Sequence, residues 1–132
     1  MRRDLVISSE LLSIEKVRLF LEGIFEEVAI DRKLFNRVFL GLSEAVHNSI
    51  IHGNKLDEDK QVYISVYVFD RLLVIEVQDE GDGFSFECIE DPTTSENLCK
   101  ENGRGIFLIK SMSDHLKYSD DGRSVEIKYH IG

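Results

Sequence analysis

Two β-branched runs, "QVYISVYVF" and "LLVIEVQ", are separated only by Asp70 and Arg71, and this spacing limits the fold more than any other feature of the chain. A two-residue connection leaves no room for a crossover, so the runs must pair as an antiparallel hairpin. On each run one side is apolar at nearly every position and the other is mixed. A sheet with that asymmetry has one face covered by helices.

The helices are found upstream of the hairpin. After a short first strand at "RRDLVIS", Ser9 or Ser13 is placed to cap a helix running to about Glu27, with Leu12, Val17, Leu19, Phe20, Leu21, Ile24, Phe25 and Val28 at helical spacing. Asp31 suits the N-cap of a second helix whose stripe is Phe35, Val38, Phe39, Leu42, Val46 and Ile50. "HGNK" ends it, with Gly53 or Asn54 suited to a left-handed C-cap. Downstream of the hairpin, "DEGDGF" breaks the strand, and no period is visible from Ser85 to Gly103. A loop of that length in a small domain is usually functional or mobile. "GRGIFLIKSMS" opens a further helix, and "HLKYS" and "RSVEIKYHI" close the chain as a hairpin joined by "DDG". The order β-α-α-β-β-loop-α-β-β predicts an α/β fold: a two-layer sandwich in which a mixed sheet is covered on one face by helices. The 132 residues suit one domain, 1–132.

Charge narrows the partners. A net charge of -9 argues against a nucleic-acid footprint and against docking on anionic lipid. The N-terminal stretch is interrupted by charges and lacks an unbroken apolar core, and no apolar run approaches the ~20 residues a membrane helix needs. The expectation is a cytoplasmic protein, with Cys88 and Cys99 as reduced thiols.

The second helix carries a polar row. Glu44, Asn48 and His52 stand four residues apart, among Leu40, Gly41, Ala45 and Ile51. On a helix Glu44 and Asn48 project almost opposite the core stripe, onto a face too apolar to be simply solvated. Taken alone the pair also fits an exposed polar row. As a pocket wall it offers an amide oxygen, a hard neutral ligand suited to Mg²⁺, and a carboxylate able to take a proton from a hydroxyl. His52 reads as a structural residue at the helix end.

Two glycine clusters accompany the row. Asp79 in "DEGDGF" is acceptor-only and can select a ring amino group, while Gly81 and Gly83 let backbone approach a flat ligand; a plain turn fits the motif too. A calcium loop fails, because Gly81 and Gly83 stand where oxygen ligands are required. "NGRGIFLIK" sets Gly103 and Gly105 at a helix start, where unpaired amides favour phosphate, with Arg104 able to pair with it. That motif is neither a Walker loop nor a full G-x-G-x-x-G.

In combination, "EAVHNSIIHGN", "DEGDGF" and "GRGIFLIKSMSD" resemble the N, G1 and G2 boxes of the GHKL ATPase superfamily, whose fold is the Bergerat sandwich. The chain is most similar to the bacterial anti-sigma factor serine-protein kinases. The resemblance implies ATP and Mg²⁺ as cofactors, Glu44 as general base, and Asn48 as the Mg²⁺ ligand. It implies Asp79 as the adenine-reading acid, Gly81 and Gly83 under the nucleotide, and Gly103, Arg104 and Gly105 on the phosphate side. Ser124 stands where the family often has a threonine near adenine, and 84–102 matches the ATP lid. The implied activity is phosphorylation of a serine or threonine on an anti-anti-sigma (STAS-domain) protein. A sigma factor as second partner and a homodimer follow by analogy only. The rivals are a non-catalytic ATP-binding partner-switch module, a phosphatase-switch regulator of the same fold, and a detached sensor-histidine-kinase ATPase domain. The last requires an acceptor histidine on a helical hairpin, and the first helix has no histidine.

Overall fold

The computed structural model describes residues 1–81, 113–119 and 123–132. The long loop, the helix expected from Gly103, the "DDG" turn and both cysteines lie outside the described residues, as do Gly83, Arg104 and Gly105.

The described elements are β1 (Arg2–Ser8), α1 (Ile14–Val28), α2 (Phe35–Asn48), β2 (Gln61–Phe69), β3 (Leu72–Asp79), β4 (His115–Ser119) and β5 (Ser124–His130). Five strands form one sheet in the order β1-β2-β3-β5-β4. Asp70 and Arg71 both have positive φ, 48° and 63°, the twist that a two-residue hairpin between β2 and β3 demands.

Every described pairing is antiparallel, which corrects the mixed sheet expected from sequence. The reason is the number of helices between β1 and β2. Two helices run out and back, so the chain returns to the end of the sheet where β1 finished. Ser8, the last residue of β1, therefore pairs with Gln61, the first of β2.

The α1/α2 layer covers one face. Val17, Leu21 and Ile24 of α1 and Val38, Leu42 and Val46 of α2 are buried against Val62, Ile64, Ile75, Val77, Val125 and Ile127 of the sheet. Each such side chain contributes about 1.5–3 kcal/mol by leaving water. Phe25 near the end of α1 meets Phe35 at the start of α2 edge to face, with centroids 5.2 Å apart. Leu12 and Leu19, counted in the apolar stripe from sequence, are exposed instead at 87% and 59%. Leu12 falls in a 3₁₀ turn (Leu11–Ser13) that precedes α1 and rotates it off the helix stripe. No described helix is long and apolar enough to cross a membrane.

Two caps differ from expectation. Asp31 does accept from the backbone amide of Lys33 at 2.9 Å, ahead of a 3₁₀ turn that leads into α2. Neither candidate serine caps α1, however. Ser13 makes no capping bond and lies 3.2 Å from the Ser8 hydroxyl, and Ser9 donates to the carbonyl of Lys60. At the other end of α2 the left-handed residues are Lys55 and Leu56, with φ of 54° and 60°, and Asn54 is right-handed at −82°. The C-terminal end of α2 widens into a π turn over Ser49–Gly53, closed by Asn54 N donating to Ser49 O at 2.7 Å. The wider turn carries the chain two residues past the expected cap before it reverses. Such turns recur at functional sites.

Candidate nucleotide site

The candidate residues gather where β1 ends, β2 begins, β3 ends and β5 begins. Asp79 is the last residue of β3. Alternation along that strand points Leu73, Ile75, Val77 and Asp79 to the helix side. The three apolar members fill the core, and the fourth delivers a carboxylate to the rim of the same layer. Asp79 is 4% exposed. Its Oδ1 accepts from the amide of Gly81 at 2.9 Å, and the Ser49 hydroxyl also bonds the carboxylate. Its Oδ2 is buried with no hydrogen-bond partner. Burial pushes the carboxyl above its ordinary range. The Gly81 amide, the Ser49 hydroxyl and the charges of Arg123 and Lys60 pull it back only in part.

Asn48, the last residue of α2, is 5% exposed, and its carboxamide nitrogen is buried without a partner. This is not the solvated polar row that the helix alone permitted. The Tyr118 side chain of β4 lies beside it, and burial raises that phenol well above its ordinary value. The next residue along, Ser49, reaches Asp79, so the amide on the helix and the acid on the strand are one residue apart in their contacts. Glu44 lies one turn earlier on α2, half-buried. His52 is half-buried in the π turn.

The glycines fit together. A β-carbon on Gly53 would fall 2.4 Å from Asp79 Oδ2, and one on Gly81 would fall 1.7 Å from the carbonyl oxygen of Gly53. Gly53 and Gly81 are both buried; a side chain at Gly53 is excluded by the Asp79 carboxylate, and one at Gly81 by the backbone of Gly53. Gly83, Gly103, Arg104 and Gly105 lie outside the described residues.

Ser124 is not brought to this cluster. It pairs with Gln78, one residue off from Asp79, and the strand alternation turns it to the opposite face of the sheet from Val125 and Val77. Arg123, the residue before β5, approaches Asp79 instead: Asp79 N donates to Arg123 O at 2.9 Å, and the guanidinium attracts the carboxylate. A one-residue offset reverses the face in a strand, so Ser124 and Val125 lie on opposite sides of the sheet.

Four contributors were missed in the sequence. Ser49 and Tyr118 are polar residues with no local signal, since their partners lie on other elements. Gly53 and Asn54 read from the sequence only as possible caps. The one available hint was that "HGN" carries two candidate cap residues where a cap needs one.

The class follows from the fold: an α/β sandwich whose second helix ends on a buried amide, Asn48, and whose third strand ends on a buried acid, Asp79. A family model for the histidine kinase-like ATPase domain matches residues 7–129, and the chain belongs to that family. Within it, the chain is similar to the serine-protein kinase RsbW of Listeria monocytogenes, 28% identical over 121 residues that cover 86% of this chain and 77% of that one. It is likewise similar to the serine-protein kinase RsbW of Staphylococcus epidermidis, 28% identical over 131 residues, covering 92% and 81%. The fold matches a crystal structure of the RsbU and RsbW domains of a Mycobacterium tuberculosis protein, with a TM-score of 0.68 and 13% identity over 98% of this chain, which spans 31% of that chain. It also matches the Acinetobacter baumannii histidine kinase AdeS, with a TM-score of 0.53 and 16% identity, covering 98% of this chain and 68% of that one.

Proposed function

We propose that the chain is an ATP-dependent protein kinase and anti-sigma factor. In this reading it transfers the terminal phosphate of ATP to a serine or threonine of a STAS-domain antagonist and holds a sigma factor as the alternate partner. The observation that carries the reading is the pair of buried, unpartnered atoms, Asp79 Oδ2 and the Asn48 carboxamide nitrogen, joined through Ser49. A buried polar atom without a partner is costly, and a ligand that supplies the partner recovers that cost. Asp79 Oδ2 calls for a donor, which the amino group of adenine provides. The Asn48 nitrogen calls for an acceptor, which a phosphate oxygen provides, and its carbonyl oxygen is of the kind that Mg²⁺ takes.

Asn48 would hold the metal, and bound Mg²⁺ would supply neutralising charge to the phosphates. Tyr118 keeps the Asn48 carboxamide in place from behind. Glu44 accepts the proton of the incoming serine or threonine hydroxyl as its oxygen bonds to the terminal phosphorus and ADP departs. Gly81 and Gly83 allow the close approach to the base. Gly103, Arg104 and Gly105 take the phosphate-side roles that the family resemblance implies. The relatives' description as serine-protein kinases supports transfer to a protein hydroxyl over transfer to histidine.

The test is incubation with Mg²⁺-ATP and a candidate STAS-domain protein, read by intact-mass and peptide mass spectrometry. One added phosphate on Ser or Thr, absent with Glu44→Ala, is the expected result. Tight nucleotide-dependent binding with no transfer would overturn the kinase reading and leave a sequestering module.

A further inference from the structure

We propose that Asn54 is a positioning residue that sets how well the site discriminates adenine from other purines, an inference that rests on Asp79 reading the base. Asn54 is 1% exposed, and its carboxamide is fully engaged across three segments of the chain. Its Nδ2 donates to Ser9 Oγ at 2.7 Å, just past β1, and to Gln61 O at 3.0 Å, the first residue of β2. Its Oδ1 accepts from the amide of Glu80 at 2.9 Å, the residue that follows Asp79.

These bonds form a clamp. The side chain ties the residue after the π turn to the backbone just beyond the acid, while Gly53 and Gly81 close the same gap by direct contact. Glu80 is gripped from both sides, since its carboxylate also accepts from Gln61 N at 2.9 Å and from the Tyr63 hydroxyl at 2.8 Å. The Asp79–Gly81 bend is thereby held against the end of α2. Without the Asn54 carboxamide the Glu80 amide loses its acceptor and the bend is held less firmly against the end of the π turn. A single hydrogen bond to a base edge discriminates strongly only when its acceptor is held in place.

The experiment compares the dissociation constants of ATP and ITP, which carries an oxo group in place of the 6-amino group, by calorimetry on the folded chain. The wild-type chain should favour ATP by tenfold or more, and Asp79→Asn should remove that preference. Asn54→Ala should lower the ratio at least threefold while the phosphate-side contribution, read as inhibition by inorganic triphosphate, is unchanged. A variant that is merely less stable changes the folded fraction and not this ratio. Equal wild-type affinities for ATP and ITP would overturn the base-reading role of Asp79 itself. A wild-type preference lost in Asp79→Asn but kept in full by Asn54→Ala would overturn the clamp alone. If Asn54→Ala does not fold, Ser9→Ala, which removes one of the three bonds, carries the test: a reduced ratio supports the clamp and an unchanged one overturns it.

Discussion

The backbones of Gly53 and Gly81 meet so closely that a β-carbon on Gly81 would sit 1.7 Å from the Gly53 carbonyl oxygen. The end of the helix layer and the bend after β3 are thus in backbone contact, with the Asp79 carboxylate lodged beside them. Gly81→Ala must push one backbone away from the other. The expected cost is about 2–3 kcal/mol, the upper range for forcing atoms into a packed site, read as a lowered urea midpoint. Gly23, exposed on α1 with nothing within 4 Å of an added β-carbon, is the control. There Gly23→Ala should stabilise by about 0.5–1 kcal/mol through helix propensity.

Burial holds the Asp79 carboxyl above its ordinary value, and this gives stability a pH dependence of definite sign. A carboxyl raised in the folded chain binds its proton more tightly there than in the unfolded chain. Its contribution is therefore unfavourable above the folded value, and that penalty fades as pH falls toward the unfolded one. Asp79→Asn should melt at a higher temperature than wild type near neutral pH, with the advantage shrinking below the usual carboxylate range. Circular-dichroism melts across that range decide it, and a variant less stable at neutral pH would count against the argument. The same substitution should abolish the preference for adenine.

Asn48 ends α2 with its carboxamide nitrogen buried and unpartnered, against the Tyr118 side chain. Asn48→Ala should weaken ATP binding at least tenfold in the presence of Mg²⁺, on the order of one charge-assisted contact, and much less in its absence. Tyr118→Phe keeps the packing and removes the hydroxyl, so a several-fold loss in the same direction is expected. Paired calorimetric titrations with and without Mg²⁺ measure both.

Glu44 is half-buried one turn before Asn48. Glu44→Gln keeps shape and removes the proton acceptor. On the proposed function, transfer to a candidate STAS-domain protein should fall by about 10²–10⁴-fold, the range of general-base contributions, with ATP affinity within a factor of about three of wild type. Quench-flow phosphorylation beside equilibrium binding separates the two, and parallel losses in both would remove Glu44 from the chemistry.

The sequence by itself determined the helices and strands seen among the described residues and their sidedness. The Asp70–Arg71 link dictated a hairpin, and alternation in the runs around it dictated which face the helices cover. Those are local consequences of side-chain period and turn length, which neighbouring residues alone specify. Helix α2 and the acid at the end of β3 were legible for the same reason. The sequence did not determine which way Ser124 points, since one residue of register, set by pairing with a strand 46 positions earlier, turned it away from Asp79. Nor did it reveal the Gly53–Gly81 contact, the Ser49 bond to Asp79, the Tyr118 contact with Asn48 or the Asn54 clamp. Each joins residues on different elements, and such contacts exist only once the two-helix excursion has brought the end of α2 back to the mouth of the sheet. Short-range preference chose the pieces; only packing of the layers decided which polar atoms were left buried without a hydrogen-bond partner.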